Sequence, residues 1–220
     1  MPSSAVGRGV PALRYRRALA RAAVRAAAAG LPVVPGAWWS TAERRFECDV
    51  AGCTRTGPHP VVPAAYGGLG AIAGEGLAAH AIRHPAAVTA RWRRAPYAVL
   101  VPTGETCDVV DVPASTGRTL ALRLDARSEL GPVIAAGARW FFLTAPGGRL
   151  PAWGGDTLVH GLGSWIMLPP SLGPGGEPAG WLVRPGRTGW YLPTRDAVLR
   201  ELDGPAVPSQ RRYDEALRPA

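Results

Sequence analysis

The chain has 220 residues, of which 47% are hydrophobic and 19% charged, so it can bury a core of ordinary size and is not a disordered polymer. Its net charge is +9 and all 25 basic residues are arginines, which modestly favours a polyanionic partner, although GC-rich coding also replaces lysine with arginine. The apolar runs are too short for a membrane span or a signal peptide, and three cysteines are too few for a disulfide framework, so we expect a soluble, cytoplasmic protein.

The chain is predicted to form one α+β domain over residues 12–203, between a flexible tail at 1–11 and a C-terminal tail at 204–220. Residue propensity, hydrophobic runs and the positions of glycine and proline predict the elements. In chain order these are a helix at 12–29, a strand at 31–34, irregular chain at 40–75, a helix at 85–94, strands at 97–101 and 108–112, a helix at 118–129, strands at 132–135, 139–143, 157–160, 164–168 and 180–183, and a helix at 195–202. The strands at 132–135 and 139–143 are expected to pair as a hairpin around Gly137, and Thr194 is expected to cap the last helix.

A series of short motifs runs through the chain, and their order is more informative than any one of them. Its members are Cys48, Cys53, Gly57-Pro58-His59-Pro60, Arg91-Trp92-Arg93-Arg94-Ala95-Pro96, Thr103-Gly104, Asp108-Val109-Val110-Asp111-Val112-Pro113, Gly137-Ala138-Arg139-Trp140-Phe141-Phe142, Asp156 and Leu168-Pro169-Pro170-Ser171. Over roughly residues 15–185 this order resembles the bacterial and phage bifunctional DNA primase/polymerase N-terminal domain, of the archaeo-eukaryotic primase superfamily.

The resemblance implies a primase-polymerase fold, with a mixed sheet flanked by helices, and nucleotidyl transfer with Mg²⁺ or Mn²⁺. In that family two aspartates of an Asp-x-Asp motif and a third aspartate hold the metal ions, and a histidine holds the incoming triphosphate. Alternate residues of a strand point to the same face, so the motif presents both carboxylates to a hard cation. Here Asp111 and Asp156 match the first and third aspartates, Pro113 replaces the second, and Arg139 replaces the histidine.

Two of the four catalytic positions therefore lack their usual chemistry. Because this catalysis rests on electrostatic positioning, we expect a domain that binds DNA or nucleotide without nucleotidyl transfer. Arg139 is a candidate to clamp a phosphate in place of the missing metal charge. Asp108 is a candidate substitute ligand only on a bulged strand, since on a flat strand it faces away from Asp111. The alternatives are an active primase/polymerase with substitute metal ligands, and a noncatalytic protein-interaction module.

Other residues are candidates for nucleotide or DNA contact. Arg91, Arg93 and Arg94 suit phosphates and Trp92 suits base stacking, but a core tryptophan beside a solvated arginine face explains them equally well. His59 and Ser171 are added from the family-like loop and the last motif, with Pro58 standing where the family usually has lysine. His160 is expected to be a satisfied strand histidine rather than a base. The family is often fused to a helicase, so a separate helicase is a possible partner.

Cys48, Cys53 and His59 are also a candidate Zn²⁺ site, because thiolates and imidazole are good zinc ligands. The spacing departs from the common zinc-finger patterns, and only three ligands are local. A fourth would come from Asp49, His80 or His84. The alternative is a loop that carries two reduced cysteines.

Overall fold

The structure is a computed structural model that describes residues 9–51, 53–55, 57–61, 76–148, 156–173 and 176–202. In chain order its elements are α1 (Gly9–Ala28), β1 (Val34–Gly36), β2 (Trp38–Ser40), β3 (Arg45–Glu47), a 3₁₀ helix (Leu77–His80), α2 (Pro85–Trp92), β4 (Ala98–Pro102), β5 (Asp108–Pro113), α3 (Ala114–Ala126), β6 (Val133–Ala136), β7 (Arg139–Thr144), β8 (Leu158–His160), β9 (Trp165–Leu168), β10 (Gly180–Val183), α4 (Pro185–Thr188) and α5 (Arg195–Leu202). Helices and antiparallel sheets occur together, which confirms the predicted α+β class. None of the described helices is long and apolar enough to span a bilayer.

The chain divides into two compact units, each formed from two stretches of sequence. The first unit comprises the residues up to Val101 and Met167–Pro178, and the second comprises Pro102–Ile166 and the residues from Ala179 onward. The single domain expected over 12–203 remains a prediction. Residues 9–11, expected in the N-terminal tail, belong to α1, whereas the tail expected at 204–220 lies outside the described residues.

In the first unit, α1 packs against α2. Leu19, Ala23 and Ala26 of α1 are fully buried, and so are Val88 and Trp92 of α2. The small alanine side chains let two helix backbones approach closely, while the tryptophan fills the remaining volume. A helix rich in alanine and arginine is therefore held in place by one buried stripe rather than by propensity alone.

A three-stranded sheet has the order β1-β4-β9, with β1 antiparallel to β4. All five residues of β4 are buried, as expected for its central position. Glycine is needed at Gly36, because a Cβ there would lie 2.8 Å from Cγ of Leu100. The hairpin formed by β2 and β3 replaces part of the irregular chain expected at 40–75. Its turn contains no glycine, and Arg44 adopts the positive φ, of 51°, that glycine would otherwise adopt most easily.

The second unit is built on a five-stranded sheet with the order β10-β6-β7-β5-β8. Every pair of neighbours in it is antiparallel, so the sheet that was expected to be mixed is antiparallel here. The predicted hairpin around Gly137 is confirmed as β6 and β7, and Thr194 Oγ1 accepts the predicted capping bond from the amide of Ala197 at 3.2 Å.

One face of this sheet carries the hydrophobic core of the second unit. The core joins β5, β7, α3 and α5 through Val110, Val112, Leu120, Leu124, Trp140, Phe142 and Val198. Close packing requires Gly117 on α3, since a Cβ there would lie 2.8 Å from the Trp140 ring. α3 begins at Ala114, four residues before the predicted start. The prediction missed this first turn because its residues are small or polar and show no helical apolar period.

Candidate functional site

The side chains of β5 alternate between two faces, and this alternation separates its two aspartates. Val110 and Val112 point into the core formed with the helices. Asp108 shares their face by period-two alternation, whereas Asp111 and Pro113 lie on the opposite face. The expectation that the two aspartates face opposite sides of a flat strand is confirmed by their different partners.

Asp111 lies at the centre of a small polar cluster. Its carboxylate is buried at 6% exposure, and its Oδ1 accepts a hydrogen bond from Nε of Arg139 at 2.7 Å. Its Oδ2 lies 3.2 Å from Nε2 of His160. Arg139 also donates from Nη2 to the backbone carbonyl of Asp111 at 3.1 Å. Both carboxylate oxygens therefore already have nitrogen partners, one of which carries a permanent positive charge.

The strand register explains why these three residues meet. β5 lies between β7 and β8, with Pro113 opposite Arg139 and Val109 opposite His160. Each of those positions is two residues from Asp111 on the same face, so both side chains approach the carboxylate diagonally. His160 is hydrogen-bonded, as expected, but its partner is the carboxylate of Asp111, a contact that local sequence does not predict. Only the pairing of β8 with β5, which sets His160 opposite Val109, predicts this contact.

The loop after β8 is held firmly, which orients His160. Its Nδ1 lies 3.3 Å from Oγ of Ser164. Thr103 donates from Oγ1 to the carbonyl of Gly161 at 2.6 Å and from its amide to the carbonyl of Ser164 at 3.0 Å. Gly104 has a φ of 103°, and a Cβ there would collide with the backbone of residue 162. The Thr103-Gly104 motif thus stabilises the loop that follows β8, next to the Asp111 cluster.

Asp156 lies in a turn just before β8 and is exposed. Arg139 reaches it through the backbone, because Nη2 donates to the carbonyl oxygen of Asp156 at 2.8 Å. Arg139 thereby links Asp111 to the segment that enters β8. The assignment of the Asp156 carboxylate as a metal ligand stays a prediction.

The side chains around Asp111 do not fit a two-metal carboxylate site. Pro113, two residues along on the same face, has no side-chain oxygen. The Arg139 guanidinium occupies the position beside Oδ1 where a cation would bind, and its charge would repel Mg²⁺ or Mn²⁺. The described residues of this face therefore do not present the pair of free carboxylates that two-metal chemistry uses.

Asp108 takes part in a separate, buried ion pair. Its Oδ2 lies 2.8 Å from Nη1 of Arg195 and accepts the amide hydrogen of Gly147 at 2.9 Å. The two side chains are 2% and 3% exposed. Arg195 also donates from Nη2 to the carbonyl of Gly147 at 2.7 Å. This carboxylate is directed towards α5, and its role as a substitute metal ligand stays a prediction that would require it to leave the ion pair.

Of the arginines near the end of α2, Arg91 already has partners within the protein. Its Nη2 lies 3.4 Å from Asp49, and its guanidinium lies 4.4 Å from the ring centroid of Tyr97. Arg93 and Arg94 are exposed and stay candidates for phosphate contact. Trp92 is buried and donates from Nε1 to the carbonyl of Tyr97 at 2.9 Å, so it is a core residue rather than a base-stacking surface.

Ser171, predicted as a nucleotide or DNA contact, is fully buried. Its Oγ accepts the amide hydrogen of Val99 at 2.9 Å, so the hydroxyl satisfies a buried backbone group of β4. The contact that the sequence predicted for Ser171 stays a prediction, and a ligand would have to compete with this hydrogen bond.

The structure brings Cys48, Cys53 and His59 together in the first unit. One ligand atom from each lies within 4.8 Å of the others, and Sγ of Cys53 lies 3.5 Å from Nε2 of His59. His59 is almost fully buried, and the two cysteines are half-buried. Burial raises the pKa of the Cys48 thiol, and the neighbouring Cys53 raises this pKa as well. The described residues include no fourth ligand in this group.

Comparison with known proteins identifies the fold that carries these sites. No curated protein and no solved structure is significantly similar to the chain. The model of one family, described as bifunctional DNA primase/polymerase, N-terminal, matches residues 23–198 and so spans most of the chain, including the Asp111 cluster and the cysteine cluster. The chain therefore belongs to the bifunctional DNA primase/polymerase N-terminal domain family.

Proposed function

We propose that this primase/polymerase-like domain binds nucleic acid or nucleotide but does not catalyse nucleotidyl transfer. The observation that carries the proposal is the state of Asp111, the residue that matches the family's first metal ligand. Its two oxygens are engaged by Arg139 and His160, and Pro113 stands where a second carboxylate is needed.

The physical argument concerns charge. Two-metal catalysis requires carboxylates that hold cations next to the transferred phosphoryl group. A buried carboxylate in a short ion pair with arginine has its charge neutralised, so it attracts a cation only if the guanidinium moves away. Removal of electrostatic groups of this kind typically costs several orders of magnitude in rate.

Retained binding is supported by the charge of the whole chain and by exposed arginines. The net charge of +9 attracts polyanions, and Arg93 and Arg94 lie exposed just after α2. The Arg139 side chain is 31% exposed, so it can offer part of its guanidinium to a phosphate while it stays paired with Asp111.

Primer extension with Mg²⁺ or Mn²⁺ tests the loss of catalysis. We expect no template-directed product from the full chain, with an unrelated DNA polymerase as the positive control for the assay. Template-directed extension that is abolished by Asp111→Asn would support an active enzyme instead. A Pro113→Asp/Arg139→His variant, which restores the family's residues, tests whether these two replacements are sufficient to explain the loss.

Fluorescence anisotropy with single-stranded DNA over a range of salt concentrations tests retained binding. We expect affinity to fall as salt rises, because each phosphate contact releases counterions. The Arg93→Gln/Arg94→Gln variant should bind more weakly than Arg17→Gln/Arg21→Gln, which removes the same charge from the exposed side of α1. Equal loss in both variants would mean that only overall charge matters. No binding at low salt would refute the binding proposal and favour a protein-interaction module.

Nucleotide binding in EDTA tests the role of Arg139 separately from metal. We expect a nucleoside triphosphate to bind wild type more tightly than Arg139→Gln. Equal affinity, or no binding by either protein, would exclude Arg139 as the phosphate ligand.

A further inference from the structure

We propose that Cys48, Cys53 and His59 bind one Zn²⁺ ion through three protein ligands, at a site independent of the Asp111 cluster. The group lies wholly within the first unit, so it is not a part of the carboxylate site of β5. The proposal rests on the geometry of the ligand atoms, on the hydrogen bond that orients the histidine, and on the backbone that holds the loop.

The distances match those of a zinc site. With Zn–S near 2.3 Å and Zn–N near 2.0 Å, tetrahedral coordination places sulfur and nitrogen ligands about 3.5 Å apart. Sγ of Cys53 and Nε2 of His59 are 3.5 Å apart. The sulfur of Cys48 lies within 4.8 Å of both, so a small rotation of its side chain would complete the set.

The histidine is already oriented as a metal ligand. Nδ1 of His59 lies 2.7 Å from the carbonyl oxygen of Gly57. A carbonyl can only accept, so the proton is on Nδ1 and the lone pair of Nε2 points towards Cys53. Ligating histidines in metal sites commonly donate their second N–H in this way, which fixes the tautomer and the ring plane.

The backbone around the ligands is held in place by β1. The amide of Ala37 donates to the carbonyl of His59 at 2.9 Å, and the amide of Val61 donates to the carbonyl of Pro35 at 2.7 Å. Cys48 follows β3 directly, so its position is set by the β2–β3 hairpin. A bound ion would therefore join the end of that hairpin to a segment paired with β1.

The ligand types decide which metal is favoured. Two thiolates and an imidazole suit Zn²⁺, whereas Mg²⁺ and Mn²⁺ prefer oxygen ligands. Of the residues considered for the fourth position, Asp49 is engaged by the Tyr97 hydroxyl and lies 3.4 Å from Arg91, and Nδ1 of His84 accepts the amide hydrogen of Ala86. None of the three candidates Asp49, His80 and His84 belongs to the group of ligand atoms that lie within 4.8 Å of one another, so water is the proposed fourth ligand.

The zinc content of the full chain, purified without a histidine tag and measured by mass spectrometry of the metal, tests the site. We expect one equivalent in wild type and in the control Cys107→Ala, which removes the cysteine that lies in the other unit. Cys53→Ser and Cys48→Ser should lose the zinc. Replacement by Co²⁺ should give sulfur-to-cobalt absorption in the near ultraviolet in wild type but not in these variants. Absence of zinc from wild type, or zinc retained by a Cys48→Ser/Cys53→Ser double variant, would overturn the proposal.

Thiol alkylation of the folded wild type provides a test that does not depend on any variant. We expect Cys48 and Cys53 to be protected until EDTA removes the ion, and then to react together. Equal reactivity with and without EDTA contradicts a metal site, as does a mass lower by two hydrogens that reveals a disulfide between these cysteines.

Discussion

Breaking the buried ion pair between Asp108 and Arg195 should strongly destabilise the second unit, and substitution of Arg195 tests this. In an Arg195→Met variant the hydrophobic side chain replaces most of the lost volume, but among the described residues the Asp108 carboxylate keeps only the amide of Gly147, at 2.9 Å, as its partner. The carbonyl of Gly147 also loses its 2.7 Å bond to the guanidinium.

The structure sets the expected size of this effect. Both side chains are at most 3% exposed, so water does not replace the lost partner, and breaking such a pair costs about 3–5 kcal/mol. For a protein of this length each kcal/mol lowers the melting temperature by about 2–4 °C. An Asp108→Leu/Arg195→Met double variant removes both charges, so it should regain most of the lost stability.

Urea unfolding followed by circular dichroism measures these free energies. The matched control is Arg200→Met, an exposed arginine on the same helix, which should change stability by less than about 0.5 kcal/mol. If Arg195→Met unfolds at the same urea concentration as this control, the pair is not the buried interaction described above. A double variant that is less stable than Arg195→Met would also refute the reasoning.

Three further predictions concern single positions. Gly104→Ala should lower the free energy of unfolding in urea by more than about 2 kcal/mol, because the added Cβ collides with residue 162. Gly137→Ala, also at positive φ but with open space around it, should lower it by only about 1 kcal/mol. Equal losses in the two variants would contradict the steric explanation. Ser171→Ala should cost about 1–3 kcal/mol by the same assay, since it leaves a buried amide of β4 unpaired, and a neutral result would mean that another group satisfies this amide. Burial raises the pKa of Cys107 from 9.0 to about 12, so the unfolded chain loses this proton at lower pH than the folded protein. The free energy of unfolding should be unaffected below about pH 9 and should then fall by up to about 1.4 kcal/mol per pH unit. Cys107→Ala should remove that part of the pH dependence.

The two proposed sites make different demands on the fold and can be tested separately. Loss of zinc should loosen the segment that ends at His59, in the first unit, without changing the Asp111 cluster on β5. Conversely, replacement of Arg139 should alter nucleotide binding without changing the zinc content. A variant that changes both would show that the two sites are energetically coupled.

Much of the fold follows from local sequence. The period-two alternation of residues 108–113, the helix formers before Gly30 and the turn at Gly137 each depend on residues close together in the chain. The order of motifs likewise indicates the family, and the alternation alone places Asp108 and Asp111 on opposite faces of their strand. The proximity of Cys48, Cys53 and His59 was also predictable from the sequence, because the three residues lie close together in the chain.

The partners of each polar group required the tertiary structure. Strand order decides which side chains flank Asp111, and nothing local in the sequence states that β8 pairs beside β5 and brings His160 to its carboxylate. The same holds for Arg195, which reaches Asp108 from 87 residues away. Burial also decided between the two explanations of Trp92, because a tryptophan after an arginine can pack inward or face solvent with the same local pattern. Sequence periodicity gives the face of an element on which a residue lies, whereas contact across a sheet depends on long-range pairing that no local pattern encodes.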